Sequence, residues 1–121
     1  MSSAVLLIAH GSRRPEANAD LARLADMLRP RLSGQDVEIA YLELARPSIP
    51  EGLQRCYSQG AREIRMLPWF LSAGSHVTDD LTQFQQEFAA SHPDASVSLH
   101  PPLGLHPLMV DILVARLNET F

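Results

Sequence analysis

Two histidines each follow an apolar run and stand beside small residues. They lie in Val5-Leu6-Leu7-Ile8-Ala9-His10-Gly11-Ser12 and in Met66-Leu67-Pro68-Trp69-Phe70-Leu71-Ser72-Ala73-Gly74-Ser75-His76. A neutral imidazole can accept a proton near neutral pH or ligate a divalent metal. Two of them without cysteine partners suit acid/base work or a metal held only in passing. Taken singly, each histidine reads equally well as a packed ring satisfied by a backbone carbonyl. If both apolar runs are parallel strands of one sheet, both rings reach the same carboxyl edge, where open α/β sheets bind ligands. The pair then reads as functional, and His10 and His76 become the leading catalytic and metal-ligating candidates.

Other side chains gather around this pair. Glu43 sits in Tyr41-Leu42-Glu43-Leu44-Ala45, and partial burial in such company would raise a carboxyl pKa toward neutrality, which suits proton transfer. The competing reading is a solvated glutamate or one paired with Arg46. Gly11 and Ser12 open a loop whose backbone N–H groups and hydroxyl can hold an anion, and Ser72, Gly74 and Ser75 offer similar donors across the crevice. Ser12 reads equally as a plain helix cap. Arg13, Arg14 and Arg46 are the local cations for an anionic ligand. Trp69 and Phe70 supply flat apolar area beside His76, or core. Asp79 and Asp80 make an H-x-x-D-D pattern with His76, although first-turn pairing with a helix dipole explains them more simply. Lone Cys56, in a helical stretch, reads as packed and inert.

The elements that position these residues alternate. A buried strand over residues 4–9 is followed by a helix from Pro15 to about Leu32, with Leu21, Leu24, Ala25, Leu28 and Leu32 at spacings of three and four. Val37, Ile39 and Tyr41 mark a second strand, and a helix then runs to about Ser58. A third strand over 62–71 precedes a helix starting near Ser75 or His76. Residues 95–99 form a fourth strand, and a last helix carries Leu108, Ile112, Leu113 and Leu117. Four β-α units with short connections predict a three-layer α/β/α fold around a four-stranded parallel sheet with right-handed crossovers. The strand order 2-1-3-4 places His10 and His76 on either side of the switch point.

Size and composition bound the function. The 121 residues carry 45% hydrophobic and 20% charged residues, an ordinary globular composition for a single domain spanning 1–121. A formal net charge of −4 argues against nucleic acid as a partner. No apolar stretch is long enough to cross a membrane. A single cysteine excludes an internal disulfide and fits a reducing cytoplasm. Neither a Walker A loop, G-x-G-x-x-G nor G-x-S-x-G is present, so nucleotide chemistry and a serine hydrolase lack their signatures.

Four ordered blocks then resemble a known family. Leu7-Ile8-Ala9-His10-Gly11-Ser12-Arg13, Leu42-Glu43-Leu44-Ala45-Arg46-Pro47-Ser48-Ile49, Leu67-Pro68-Trp69-Phe70-Leu71-Ser72-Ala73-Gly74-Ser75-His76-Val77 and Pro102-Leu103-Gly104-Leu105-His106-Pro107 are similar to the short sirohydrochlorin chelatases of the CbiX type. The resemblance implies ATP-independent insertion of Co²⁺, Fe²⁺ or Ni²⁺ into sirohydrochlorin for cobalamin or siroheme synthesis, with the metal as substrate and no tightly held cofactor. It also implies a half-unit of the larger two-lobed chelatases, acting as a homodimer. It assigns metal binding and proton acceptance to His10 and His76 and an acidic role to Glu43. Contacts to the macrocycle and its carboxylates would come from Gly11, Ser12, Arg13, Arg46, Trp69, Ser72, Gly74 and Ser75. Trp69 stands where a smaller aliphatic residue is usual in the family. A non-catalytic carrier of metal or tetrapyrrole is the alternative expectation, and a small histidine-dependent hydrolase is a more distant one.

Overall fold

The computed structural model describes residues 2–121. Strand β1 (Ser2–Ala9) is buried from Ala4 to Ile8. It pairs in parallel with β2 (Gln35–Tyr41) on one side and β3 (Ala61–Pro68) on the other. β4 (Ser96–Leu99) joins outside β3, so the strand order is β2-β1-β3-β4 and every pairing is parallel. The unbroken apolar run of β1 is what a strand covered on both faces requires.

Side-chain alternation along β1 divides the core in two. Ala4, Leu6 and Ile8 face helices α2 (Ile49–Ser58) and α3 (Ser75–Ser91), where they meet Ile49, Leu53, Ile64, Met66 and Leu81. Val5 and Leu7 face α1 (Pro15–Leu28) and pack with Leu21, Ala25 and Val37. Helix α2 comes unusually close to the sheet at Gly52. A Cβ there would lie 2.8 Å from Leu6 Cδ1 and 2.9 Å from the Ala40 Cβ.

The start of α2 is fixed by a capping box. The Glu51 N–H donates to Ser48 Oγ at 3.3 Å, and the Ser48 N–H donates to Glu51 Oε1 at 2.8 Å. Arg46 also donates to Glu51. The Arg46 guanidinium, aided by the Ser48 N–H, holds the Glu51 carboxyl down at about 2. At the opposite edge of the sheet Tyr57 donates to Asp94, and Arg62 lies over the Tyr57 ring while pairing with the same carboxylate. This cluster ties the ends of α2 and α3 to β3 and β4.

Several boundaries differ from the sequence expectation, each for a local reason. Helix α1 ends at Leu28 and passes into a 3₁₀ turn, Arg29–Arg31, because Pro30 has no N–H to continue the ladder. β3 stops at Pro68 rather than near Leu71. Helix α3 begins at Ser75, within the expected start, but from there Asp79 and Asp80 lie in its second turn and the first turn holds no acid. The dipole reading of that pair therefore loses its basis. Helix α4 (Leu108–Leu117) forms where expected but has no buried residue and packs firmly on no other element.

Replacing Gly52 by alanine should cost about 1–3 kcal/mol through overpacking against Leu6 and Ala40, and Ser48→Ala should cost about 1 kcal/mol through loss of the cap. Urea midpoints at unchanged m-value measure both. The Glu51 contribution is complete above the ordinary carboxyl value of 4.5 and fades as pH falls toward about 2. Thermal scans across that window should therefore show Glu51→Gln losing less stability on acidification than the wild type.

Candidate active site

Hydrogen bonding between neighbouring strands continues beyond their ends and ties the four carboxyl-edge loops together. Leu42 and Glu43 donate their N–H groups to the carbonyls of Ala9 and His10 at 2.9 and 3.0 Å. Trp69 donates to Ile8 at 2.7 Å, His100 to Met66 at 2.9 Å and Leu103 to Phe70 at 2.9 Å. These loops therefore keep the register of the sheet, with their backbone groups satisfied by one another.

Gly11 permits the closest of these approaches. Its φ of +99° suits glycine, and a Cβ there would lie 1.8 Å from the Glu43 carbonyl oxygen. With the backbones so close, His10 Nε2 and Glu43 Oε1 are 2.8 Å apart, both side chains being a little over half exposed. An ionised carboxylate only accepts, so Nε2 is the donor in this contact, and a neutral ring in that tautomer keeps its lone pair on Nδ1. The Phe70 ring meets the imidazole edge-on at 6.1 Å between centroids. The expected burial of Glu43 is not observed, since its side chain turns outward to His10. Its alternative partner Arg46 is engaged with Glu51 instead.

The residue after Glu43 is unusual. Leu44 has a φ of +65°, a left-handed conformation that is costly for a leucine, and its side chain is 55% exposed. An apolar side chain held at a backbone cost and turned toward solvent fits a wall for an apolar ligand.

The remaining candidates divide. Ser12 is largely committed to its own loop. Its N–H donates to Asn18 Oδ1 at 2.9 Å, its carbonyl accepts from Asn18 Nδ2 at 2.8 Å, and its Oγ accepts from the Arg14 N–H at 3.1 Å. The expected free N–H at Ser12 is therefore spent, and only its hydroxyl proton remains to offer. Tyr41 donates to the Asn18 carbonyl at 2.6 Å, so Asn18, which sequence reasoning passed over, braces the His10 loop against β2. Its only sequence signal is an amide in the first turn of a helix that follows a Gly-Ser turn.

His76 is exposed in the first turn of α3, with exposed Ser72, Gly74 and Ser75 leading into it. No side chain caps this helix, so its first N–H groups are open to an anion. Arg13 is exposed beside the His10 loop. Trp69 and Phe70 diverge: Phe70 joins the core on the α2/α3 side, whereas Trp69 lines a cleft on the α1 side. Among the described residues no group of three or more His, Cys, Asp or Glu side chains converges to hold a metal. The H-x-x-D-D site conceived for His76, Asp79 and Asp80 therefore does not form. Cys56 is buried, and burial pushes its thiol up to about 12, which removes it from thiolate chemistry.

Three comparisons with known proteins bear on this edge. A sirohydrochlorin ferrochelatase of Priestia megaterium is 34% identical over 117 residues, covering 97% of this chain and 44% of that protein. A sirohydrochlorin cobaltochelatase of Methanocaldococcus jannaschii is 27% identical, covering 93% of this chain and 96% of that protein. The crystal structure of the sirohydrochlorin chelatase SirB from Bacillus subtilis subspecies spizizenii in complex with cobalt matches with a TM-score of 0.89 at 29% identity, covering 98% of this chain and 50% of that one. The chain thus spans about half the length of the first and third proteins and nearly all of the second. The CbiX family model matches residues 4–120, which takes in all four strands' carboxyl-edge loops, and this chain belongs to the CbiX family.

Proposed function

We propose that residues 1–121 act as one chelatase domain that inserts a divalent metal into sirohydrochlorin without ATP. Co²⁺ is favoured, with Fe²⁺ and Ni²⁺ also accepted, in cobalamin or siroheme synthesis. The observation that carries the reading is the His10–Glu43 hydrogen bond on an open sheet edge, in a chain whose relatives are named sirohydrochlorin chelatases. Cobalt is placed first because the M. jannaschii relative, nearly all of which this chain covers, is named a cobaltochelatase. Imidazole ligands by themselves do not rank these metals.

Metal insertion exchanges two pyrrole N–H protons for one dication, so bases must stand over the face of the macrocycle as the metal arrives. His10 takes one proton at Nδ1, and Glu43 then balances the imidazolium charge across the existing 2.8 Å contact. His76 receives the second proton, each ring taking its proton as the metal it steadied passes to the macrocycle. Two imidazoles with open coordination positions hold a metal weakly enough to release it, whereas a closed cage would not. Leu44 and Phe70 provide apolar walls. Arg13, Arg46, the Ser12 hydroxyl and the N–H groups around Ser72, Gly74 and Ser75 meet the peripheral carboxylates, with Arg46 leaving Glu51 to do so.

The same reading makes the functional unit a homodimer, in which a second copy stands where longer relatives carry their other half. No helix among the described residues is long and apolar enough to cross a membrane, and the single buried cysteine suits a reducing cytoplasm.

Anaerobic absorbance assays with sirohydrochlorin and Co²⁺ test the assignment. His10→Ala should slow insertion by about 10²-fold or more while macrocycle binding persists, and His76→Ala should act in the same direction. Glu43→Gln should alter the pH profile of insertion. Wild-type rates in both histidine variants would remove the chemistry from this edge, and stoichiometric macrocycle binding without metallated product in the wild type would mark a carrier. Leu44→Asn, which tolerates the left-handed backbone, should raise stability by up to about 1 kcal/mol and weaken macrocycle binding. A simultaneous loss of stability and no change in binding would refute its role as a ligand wall.

A further inference from the structure

Two residues outside the His10–Glu43 contact hold the loop that joins β1 to α1. Asn18 is the fourth residue of α1, a place where asparagine favours the helix less than alanine or glutamate would. Its side chain gives α1 nothing in return. It reaches back to the Ser12 backbone, accepting the Ser12 N–H at Oδ1 (2.9 Å) and donating from Nδ2 to the Ser12 carbonyl (2.8 Å). Only an amide carries both the acceptor and the donor that this stretch of backbone needs. The helix thus bears a cost at Asn18 for the benefit of the His10 loop.

The carbonyl of Asn18 accepts in turn from the Tyr41 hydroxyl at 2.6 Å. Tyr41 ends β2, stands opposite Ala9 in the sheet register and is 4% exposed. Burial pushes its hydroxyl up from the ordinary value, so it remains a donor throughout the neutral range. A closed circuit results, running from Ala9 through His10, Ser12, Asn18 and Tyr41 and back across the sheet to Ala9. The sheet fixes Ala9 and the Asn18 bracket fixes Ser12, which leaves only His10 and Gly11 between two anchored points.

The His10 and Glu43 side chains are both more than half exposed, and such a contact is weak when its partners are free to move. Sheet pairing reaches His10 from its Ala9 side alone, and the bracket supplies the hold on the other side. We propose that Asn18 and Tyr41 are positioning residues for metal insertion, setting the direction of the His10 imidazole through the Ser12 backbone. The proposal rests on the chelatase reading above and adds to it two residues behind the His10 loop. Such positioning governs rate, because a reacting group misplaced by about 1 Å can cost about 10²-fold.

Two near-isosteric substitutions test the bracket. Asn18→Asp keeps an acceptor for the Ser12 N–H but sets a carboxylate oxygen against the Ser12 carbonyl, and Tyr41→Phe keeps the buried ring while removing its donor. Turnover of sirohydrochlorin with Co²⁺ is measured for each, alone and combined with His10→Ala, beside long-range proton–nitrogen correlation spectra of the His10 ring in alkaline buffer. The wild-type ring should show a single tautomer with its hydrogen on Nε2. Asn18→Asp should lower kcat by about 10- to 100-fold, with averaged ring-nitrogen signals and unchanged far-ultraviolet circular dichroism, and Tyr41→Phe should act in the same direction but less. Added to His10→Ala, neither should lower the residual rate further, whereas a general structural loss would lower it in both backgrounds. Wild-type kcat with an unaltered His10 ring in both variants, or equal losses with and without His10, would overturn the positioning role and leave the chelatase reading standing. A wild type that forms no metallated product would overturn the chelatase reading and the positioning role with it.

Discussion

Nothing larger than a hydrogen atom fits on the Gly11 α-carbon, because a Cβ would lie 1.8 Å from the carbonyl oxygen of Glu43. That approach lets the loops after β1 and β2 stay in register beyond the strands, with Glu43 donating its N–H to the His10 carbonyl. With the backbones locked, two side chains more than half exposed to water still hold a 2.8 Å contact. An exposed ion pair between free side chains is worth little. Here the backbone has already ordered both partners, so less entropy is lost in making the contact. The imidazole is consequently held through Nε2.

The rest of the chain is arranged to keep that approach rigid. β1 is flanked on both sides and buried from Ala4 to Ile8, so the chain entering the His10 loop is fixed by the sheet. Asn18 fastens the Ser12 turn, and the Tyr41 hydroxyl fastens Asn18. The capping box of Ser48 and Glu51 anchors the far end of the Glu43 loop at α2. Against this rigid frame, Leu44 retains a left-handed backbone at a cost of roughly 1–3 kcal/mol. Local strain of this kind persists where the surroundings over-determine it.

Much of this was legible in the residues. The unbroken apolar run of residues 4–9 identified the central strand, and the β-α alternation yielded the observed strand order. The joint placement of His10, Glu43 and His76 at the carboxyl edge followed from that order. Side-chain direction within loops did not follow. Apolar neighbours of Glu43 suggested burial, but in a turn no periodicity ties neighbours to environment, and Glu43 faces outward. The Asn18 bracket depends on a turn geometry that composition does not reveal, and it consumes the Ser12 N–H that seemed free. Helix α3 starts at Ser75 as its sequence suggests, but Asp79 and Asp80 are its fifth and sixth residues and so lie beyond the first turn, where the dipole acts. The helical pattern of α4 was readable, but a helix whose apolar residues spread over most of its circumference, interrupted by Asp111 and Arg116, does not say which surface covers it.

Multiple-turnover insertion tests the central claim most directly, with sirohydrochlorin and Co²⁺ both in large excess over the protein under anaerobic conditions. The account expects metallated product to accumulate well beyond one equivalent of protein, and Gly11→Ala, which forces the His10 and Glu43 loops apart, to lose most of that turnover while keeping its sheet. Conversion that stops at one equivalent in the wild type, or turnover undiminished in folded Gly11→Ala, would contradict it.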